Sequence, residues 1–212
     1  RLVDQDMSNG NFGFFAAREM DVAGARAMVA RLSLTGELGY EINLRAADHR
    51  AVYLAMRAAG RDLGLTPVGN RALDSLRLEK SYGIWSAEFT ADYMPDEVGL
   101  GRHVDGAKPD FIGRAAVQAA GPVTRRLVTL AVDSHDADAA PYTAVRKEGR
   151  VIGHVTSGSF GHHVRQSLAM AIVGTEALEK PEGITVDVVG EMCPSRLLTE
   201  PAYDPKGLRI RC

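Results

Sequence analysis

Two carboxylates, Glu37 and Glu41, sit in residues 32–44, which read L-S-L-T-G-E-L-G-Y-E-I-N-L. Leu32 and Leu34 alternate with Ser33 and Thr35, and Tyr40, Ile42 and Leu44 alternate with Glu41 and Asn43. Period-two alternation around a glycine-containing loop predicts a β-hairpin with one buried face. The five-residue loop 35–39 exceeds the two-residue ideal, so Gly36 and Gly39 are expected to supply positive φ or close backbone approach. Glu41 then stands on the polar face, where its carboxylate is either solvated or met by hydrogen-bond donors. Glu37 and Thr35 lie in the loop, where a turn role is as reasonable as a ligand role.

The other reactive side chains form no familiar constellation. His162 and His163 are adjacent, and no Cys or third His stands at zinc-ligand spacing, so no metal site is expected. Ser157-Gly158-Ser159 lacks the G-x-S-x-G elbow of serine hydrolases. Gly99 and Gly101 lack the strand–turn–helix frame of a dinucleotide fingerprint. Cys193 falls in an expected strand, where a small buried apolar role suits it better than a nucleophilic one. With Cys212 it makes no disulfide framework, which fits a reducing, cytoplasmic setting. Twenty-five basic and 27 acidic residues leave a net charge of −2, which argues against a nucleic-acid partner. No apolar run approaches the roughly 20 residues of a membrane span.

Several elements must position these residues. Residues 1–24 carry no clear pattern. Residues 47–63 have helical apolar spacing, with Asp48 as N-cap and Gly64 as stop. A second helix is expected over 71–80, with Asp74 and Arg77 able to pair at i, i+3, followed by a short strand near Ile84. A third, short helix is expected over 111–120. Beyond Arg125 the period changes to strands at 127–132, 143–147, 151–156, 168–173, 184–189 and 192–198, with tight turns at Glu148-Gly149 and Gly190-Glu191. The fold class is therefore α+β: a partial ferredoxin-like layer over 1–122, then a small antiparallel β-barrel over 123–212, divided near Gly121-Pro122.

The run T-G-E-x-G-Y-E resembles the folate-binding signature of the aminomethyltransferase family, the T-protein of glycine cleavage and its relatives. Further stretches resemble it in the same order. They are Ala72 to Lys80 (A-L-D-S-L-R-L-E-K), Asp110-Phe111-Ile112-Gly113-Arg114, Gly153 to Ser159 (G-H-V-T-S-G-S) and Tyr203-Asp204-Pro205-Lys206-Gly207. The last of these, and Leu73 where the T-protein branch has a folate-contacting Arg, favour the flavin-linked branch of dimethylglycine and sarcosine dehydrogenases.

The resemblance implies tetrahydrofolate as cofactor and Glu41, Thr35, Tyr82 and Tyr203 as folate contacts, with Trp85 a further aromatic candidate. It implies one-carbon transfer from an N-methyl amine-derived iminium to give 5,10-methylenetetrahydrofolate. The family's catalytic Asp lies upstream of the hairpin and nothing here matches it. The chain is thus expected to be a fragment with no catalytic residue of its own, joined to an oxidase domain or subunit that carries FAD. Two rivals are a non-catalytic docking module of the same fold and a folate-dependent O- or S-demethylase.

Overall fold

The computed structural model describes residues 2–211, so Cys212 lies outside the described residues. The chain divides into two compact units, residues 1–73 with 204–212, and residues 74–203.

The first unit is an antiparallel three-stranded sheet in the order β1 (Ala17–Val22), β2 (Ala25–Ala30), β3 (Glu41–Leu44). β1 and β2 form a hairpin in the stretch without a legible pattern. Its turn, Ala23-Gly24, holds both residues at positive φ, the geometry that matches strand twist in a two-residue loop. Met20, Val22, Ala27 and Val29 alternate inward and pack with Phe12 and Val52. Val52 comes from α1 (His49–Ala59), which 3-10 turns extend on both sides before Gly64 ends the run at φ 74°. The Asp48 carboxylate does not cap α1; it accepts from Arg45 Nε at 2.8 Å.

The expected hairpin is corrected in its first half. β3 pairs with β2, Val29 opposite Ile42 and Ala30 opposite Glu41, whereas 32–35 is loop and Leu34 is exposed. Local hydroxyls explain this. Ser33 Oγ accepts from Gly36 N at 3.0 Å, a side-chain bond that competes with strand pairing.

The second unit begins within α2 (Asn70–Glu79). The strand expected near Ile84 is a turn instead, since the backbone N–H groups of Ala87, Glu88 and Phe89 all bond back to the Ile84 carbonyl. α3 (Arg114–Ala119) follows. The six strands expected beyond it are all present: β4 (Arg125–Val132), β5 (Ala144–Lys147), β6 (Arg150–Gly161), β7 (Gln166–Gly174), β8 (Ile184–Val188) and β9 (Glu191–Leu198). They close a barrel in the order β4-β7-β6-β5-β8-β9. The interior is filled by Leu130, Val145, Val155, Ala171, Val186 and their neighbours. The turn at Glu148-Gly149 is as expected, while the β8–β9 turn sits one residue earlier, at Val189-Gly190. Among the described residues no helix is long and apolar enough to cross a membrane.

Candidate functional site

The loop 31–40 sets where Glu41 begins. Arg31 is buried at the end of β2, and its Nη1 donates to the Phe12 carbonyl at 2.8 Å. Gly36 takes φ 82°. At Gly39 an added Cβ would lie 2.5 Å from the Leu32 carbonyl oxygen, so only glycine lets the loop close on itself. Thr35 is half-buried; its Oγ1 lies 3.4 Å from Ser33 Oγ and from the Glu37 amide. That is a turn-tying role. Tyr40 donates to the Met7 carbonyl at 3.3 Å. Ile42 and Leu44 pack inward, and Glu41 and Asn43 are exposed. The Glu41 carboxylate has no hydrogen bond or ion pair among the described residues, which leaves all its acceptor capacity open.

α2 carries the second group. Ser75 and Glu79, four apart on one helix face, hold the β6–β7 turn. Ser75 Oγ donates to the Phe160 carbonyl at 2.7 Å and accepts from His162 N at 3.2 Å. Glu79 Oε1 accepts from His163 N at 2.8 Å, and the Glu79 carbonyl accepts from Tyr203 N at 2.9 Å. Arg77, 3% exposed, pairs with Asp74 at 3.3 Å as the spacing suggested and donates to the Tyr82 carbonyl at 3.2 Å. The S-L-R-x-E-K run is therefore architecture around the two aromatics. Lys80, 2% exposed, places its Nζ 5.8 Å from the centroids of both the Tyr82 and Tyr203 rings. A desolvated cation between two ring faces is attracted to both. His163 meets Tyr203 edge-on at 4.6 Å. Tyr82 and Tyr203, about 120 residues apart in sequence, are thus brought together by one ammonium group. Trp85 is exposed, edge-on to Phe89 at 5.9 Å.

Two polar centres escaped the sequence reading. Glu88 is 0% exposed and accepts from Thr156 Oγ1 at 2.6 Å, from Ser157 Oγ and from Ile84 N at 3.0 Å, with Arg77 Nη1 at 3.4 Å. The second is Glu97, with Arg125 Nε on its Oε1 at 2.8 Å and Met94 N on its Oε2 at 2.8 Å. The Arg125 bond holds the Glu97 carboxyl below the ordinary carboxylate range, against its burial. Arg125 also lies over the Tyr93 ring at 4.9 Å, and Tyr93 Oη is 3.2 Å from His154 Nε2. Burial pushes the Tyr93 phenol up. Cys193 is buried in β9, and burial pushes its thiol up too, away from the thiolate form a nucleophile needs. Among the described residues no three His, Cys, Asp or Glu side chains are grouped to hold a metal ion.

Comparison with known proteins resolves what this scaffold is. Residues 1–108 match the GCVT N-terminal domain and residues 125–204 match the glycine cleavage T-protein C-terminal barrel domain. The chain belongs to the glycine cleavage T-protein family. Among curated members, mitochondrial dimethylglycine dehydrogenase of Rattus norvegicus is 34% identical over 214 residues, covering 100% of this chain and 25% of that protein. An aminomethyltransferase of Saccharopolyspora erythraea is 36% identical over 205 residues, covering 95% of this chain and 55% of the relative. Among solved structures, aminomethyltransferase T of the glycine cleavage system from Bartonella henselae superposes with a TM-score of 0.72 at 28% identity, over 84% of this chain and 50% of that one. The T-protein resemblance and the α+β-plus-barrel architecture expected from the sequence are both borne out. The chain spans between a quarter and about half the length of these relatives.

Proposed function

We propose that this T-protein family chain is the tetrahydrofolate-binding part of a one-carbon transferase of the dimethylglycine or sarcosine dehydrogenase type. The observation that carries the reading is Glu41: a carboxylate on the polar face of β3, exposed and unpartnered among the described residues. A pterin presents an exocyclic amine and a ring N–H side by side, and one carboxylate can accept both. The residues fit the group in a second respect, because Tyr82 and Tyr203 offer flat apolar surface with polar tips. Tetrahydrofolate, when bound, supplies two nitrogens that take the one-carbon unit from an amine-derived iminium, releasing the demethylated amine and a proton and giving 5,10-methylenetetrahydrofolate.

The chain's own residues position and do not perform proton chemistry. Glu41 fixes the orientation of the pterin and Thr35 holds the loop that leads into Glu41; Tyr82 and Tyr203 are proposed as folate contacts on the resemblance to the family. Holding reactants in place can lower a barrier by several kcal/mol without any acid or base. The amine-oxidising step is assigned to FAD in another domain or subunit. The name of the dimethylglycine dehydrogenase relative, of which this chain matches only a quarter, supports that division.

The test is Glu41→Gln in the full-length polypeptide, read by calorimetric titration with tetrahydrofolate. An amide turns one acceptor into a donor facing a donor, for a loss of about 1.5–3 kcal/mol. That is on the order of ten- to a hundredfold in Kd. An unchanged Kd on folded protein would remove Glu41 from the site and favour the docking-module reading.

A further inference from the structure

We propose that the mouth of the β-barrel binds a small oxyanion carrying two or more negative charges. A cavity of about 450 Å³ opens there, a volume within the range of small-molecule sites, which favour barrel mouths.

The strand register explains its floor. Phe160 on β6 is paired with Ser167 on β7, Ser167 with Val132 on β4, and Val132 with Ser195 on β9. Directly paired residues share a face, and Val132 belongs to the barrel core. One row of four side chains therefore closes the interior, and all four line the cavity. Within this row Ser167 is anomalous. It is 3% exposed, yet its Oγ has no hydrogen-bond partner among the described residues. Leaving a buried hydroxyl unpaired costs about 1–3 kcal/mol. A barrel end that required only packing would place an apolar side chain there. Ser195, by contrast, is satisfied by the Cys193 carbonyl at 3.1 Å.

The rim supplies the charge. Arg165 and Arg196 line the same cavity, and neither guanidinium bonds or pairs with any described residue. Gln166 adds an amide. The one carboxylate in the lining, Asp133, faces His135 at 3.7 Å. Two unpaired guanidinium forks along one cavity match an oxyanion, since each fork can take a carboxylate or phosphate edge, and the buried Ser167 hydroxyl is a further donor in the same lining. The ligand class is therefore a phosphate or a di- or tricarboxylate. None of Glu41, Thr35, Tyr82 or Tyr203 lines this cavity, so the site stands or falls apart from the folate reading.

Calorimetric titration of the full chain with inorganic phosphate, citrate and acetate, at physiological salt, tests it. Binding of phosphate or of citrate, at least roughly tenfold tighter than acetate, supports the proposal, and which of the two binds assigns the source of the charge. The double variant Arg165→Gln/Arg196→Gln should lose at least about tenfold in affinity. Ser167→Ala separates a ligand role from a structural one. It should weaken binding while the melting temperature stays level or rises, because an orphan hydroxyl is being removed. No binding of either polyanion, affinity unchanged in the double arginine variant, or a Ser167→Ala protein that melts lower yet binds equally well would each overturn the proposal.

Discussion

Replacing Glu88 by glutamine is the sharpest test of what holds the second unit together. The substitution keeps the shape and removes the charge. The wild-type carboxylate takes two hydroxyl bonds from β6, one backbone bond from Ile84, and the Arg77 guanidinium at 3.4 Å. The 3.4 Å contact is long for a charge-assisted bond, so the hydroxyl and backbone bonds contribute more than the ion pair. In the variant the amide oxygen must face Ile84 N and Arg77, neither of which can accept. The amide nitrogen then faces Thr156 and Ser157. The Thr156 hydroxyl can turn to the Met170 carbonyl at 3.2 Å; among the described residues the Ser157 hydroxyl has no second acceptor. Each bond to a charged acceptor drops from about 1.5–3 to about 0.5–1.5 kcal/mol. Arg77 keeps a single carboxylate partner, the half-exposed Asp74. A net loss of about 3 kcal/mol follows, at the lower end of the roughly 3–5 of a charge left wholly unpaired. At about 2–4 °C per kcal/mol for a chain of this size, the melting temperature should fall by about 6–12 °C. Thermal unfolding by circular dichroism measures it, and native-state hydrogen exchange at Thr156 and Ser157 localises it. A fall under about 2 °C with unchanged exchange at those amides would show that Glu88 does not hold the network.

Acid should weaken the second unit through Glu97. Its folded pKa lies below the ordinary value, so its contribution is complete above the unfolded pKa and is lost as pH falls through the folded one. Glu97→Gln should lower stability at neutral pH and flatten the fall of melting temperature below the ordinary carboxylate pKa; a variant with the wild-type acid limb would exclude Glu97 as its source. Gly39→Ala should disturb the loop before Glu41, because the new Cβ meets the Leu32 carbonyl at 2.5 Å. A cost of about 1–3 kcal/mol is expected, read by urea unfolding, and the same variant should bind tetrahydrofolate less well; wild-type values in both assays would show that the loop relaxes freely.

The barrel was legible because its strands obey one rule. Leu130 and Val132, Val145, Val155, Ala169 and Ala171, and Val186 all recur at period two toward one core, and Glu148-Gly149 marks a two-residue turn. The β1–β2 hairpin obeys the same rule but was not seen. Its inward positions include Met20 and Ala27 but also Arg18, which is paired with Val29, its outward ones are Glu19, Asp21 and Arg26, and alanine gives little apolar contrast. Residues 32–35 show the opposite failure. Their alternation is sound, but Ser33 spends its hydroxyl on the loop. Glu88 could not have been found at all, since a buried glutamate and a solvated one look alike in a sequence. Its hydroxyl partners lie 68 and 69 residues away.

The family-like stretches divide by where their charges are spent. Arg77, Glu79 and Lys80 are buried. Arg77 and Glu79 spend theirs on backbone carbonyls, amides and carboxylates of the same unit, and Lys80 sits against two tyrosine rings. Removing such a charge strands its partner inside the protein, so stability falls first and any loss of activity follows from that. Glu41 is the reverse case. Ile42 and Leu44 of the same strand do the packing, the Glu41 carboxylate is solvated, and a solvated carboxylate contributes little to folding. The two kinds of motif residue are therefore separable by measurement. Arg77→Met should melt early, whereas Glu41→Gln should melt with the wild type and differ only when folate is added. That asymmetry is what makes Glu41 the residue on which the functional reading rests, because a carboxylate the fold does not use is available to a ligand.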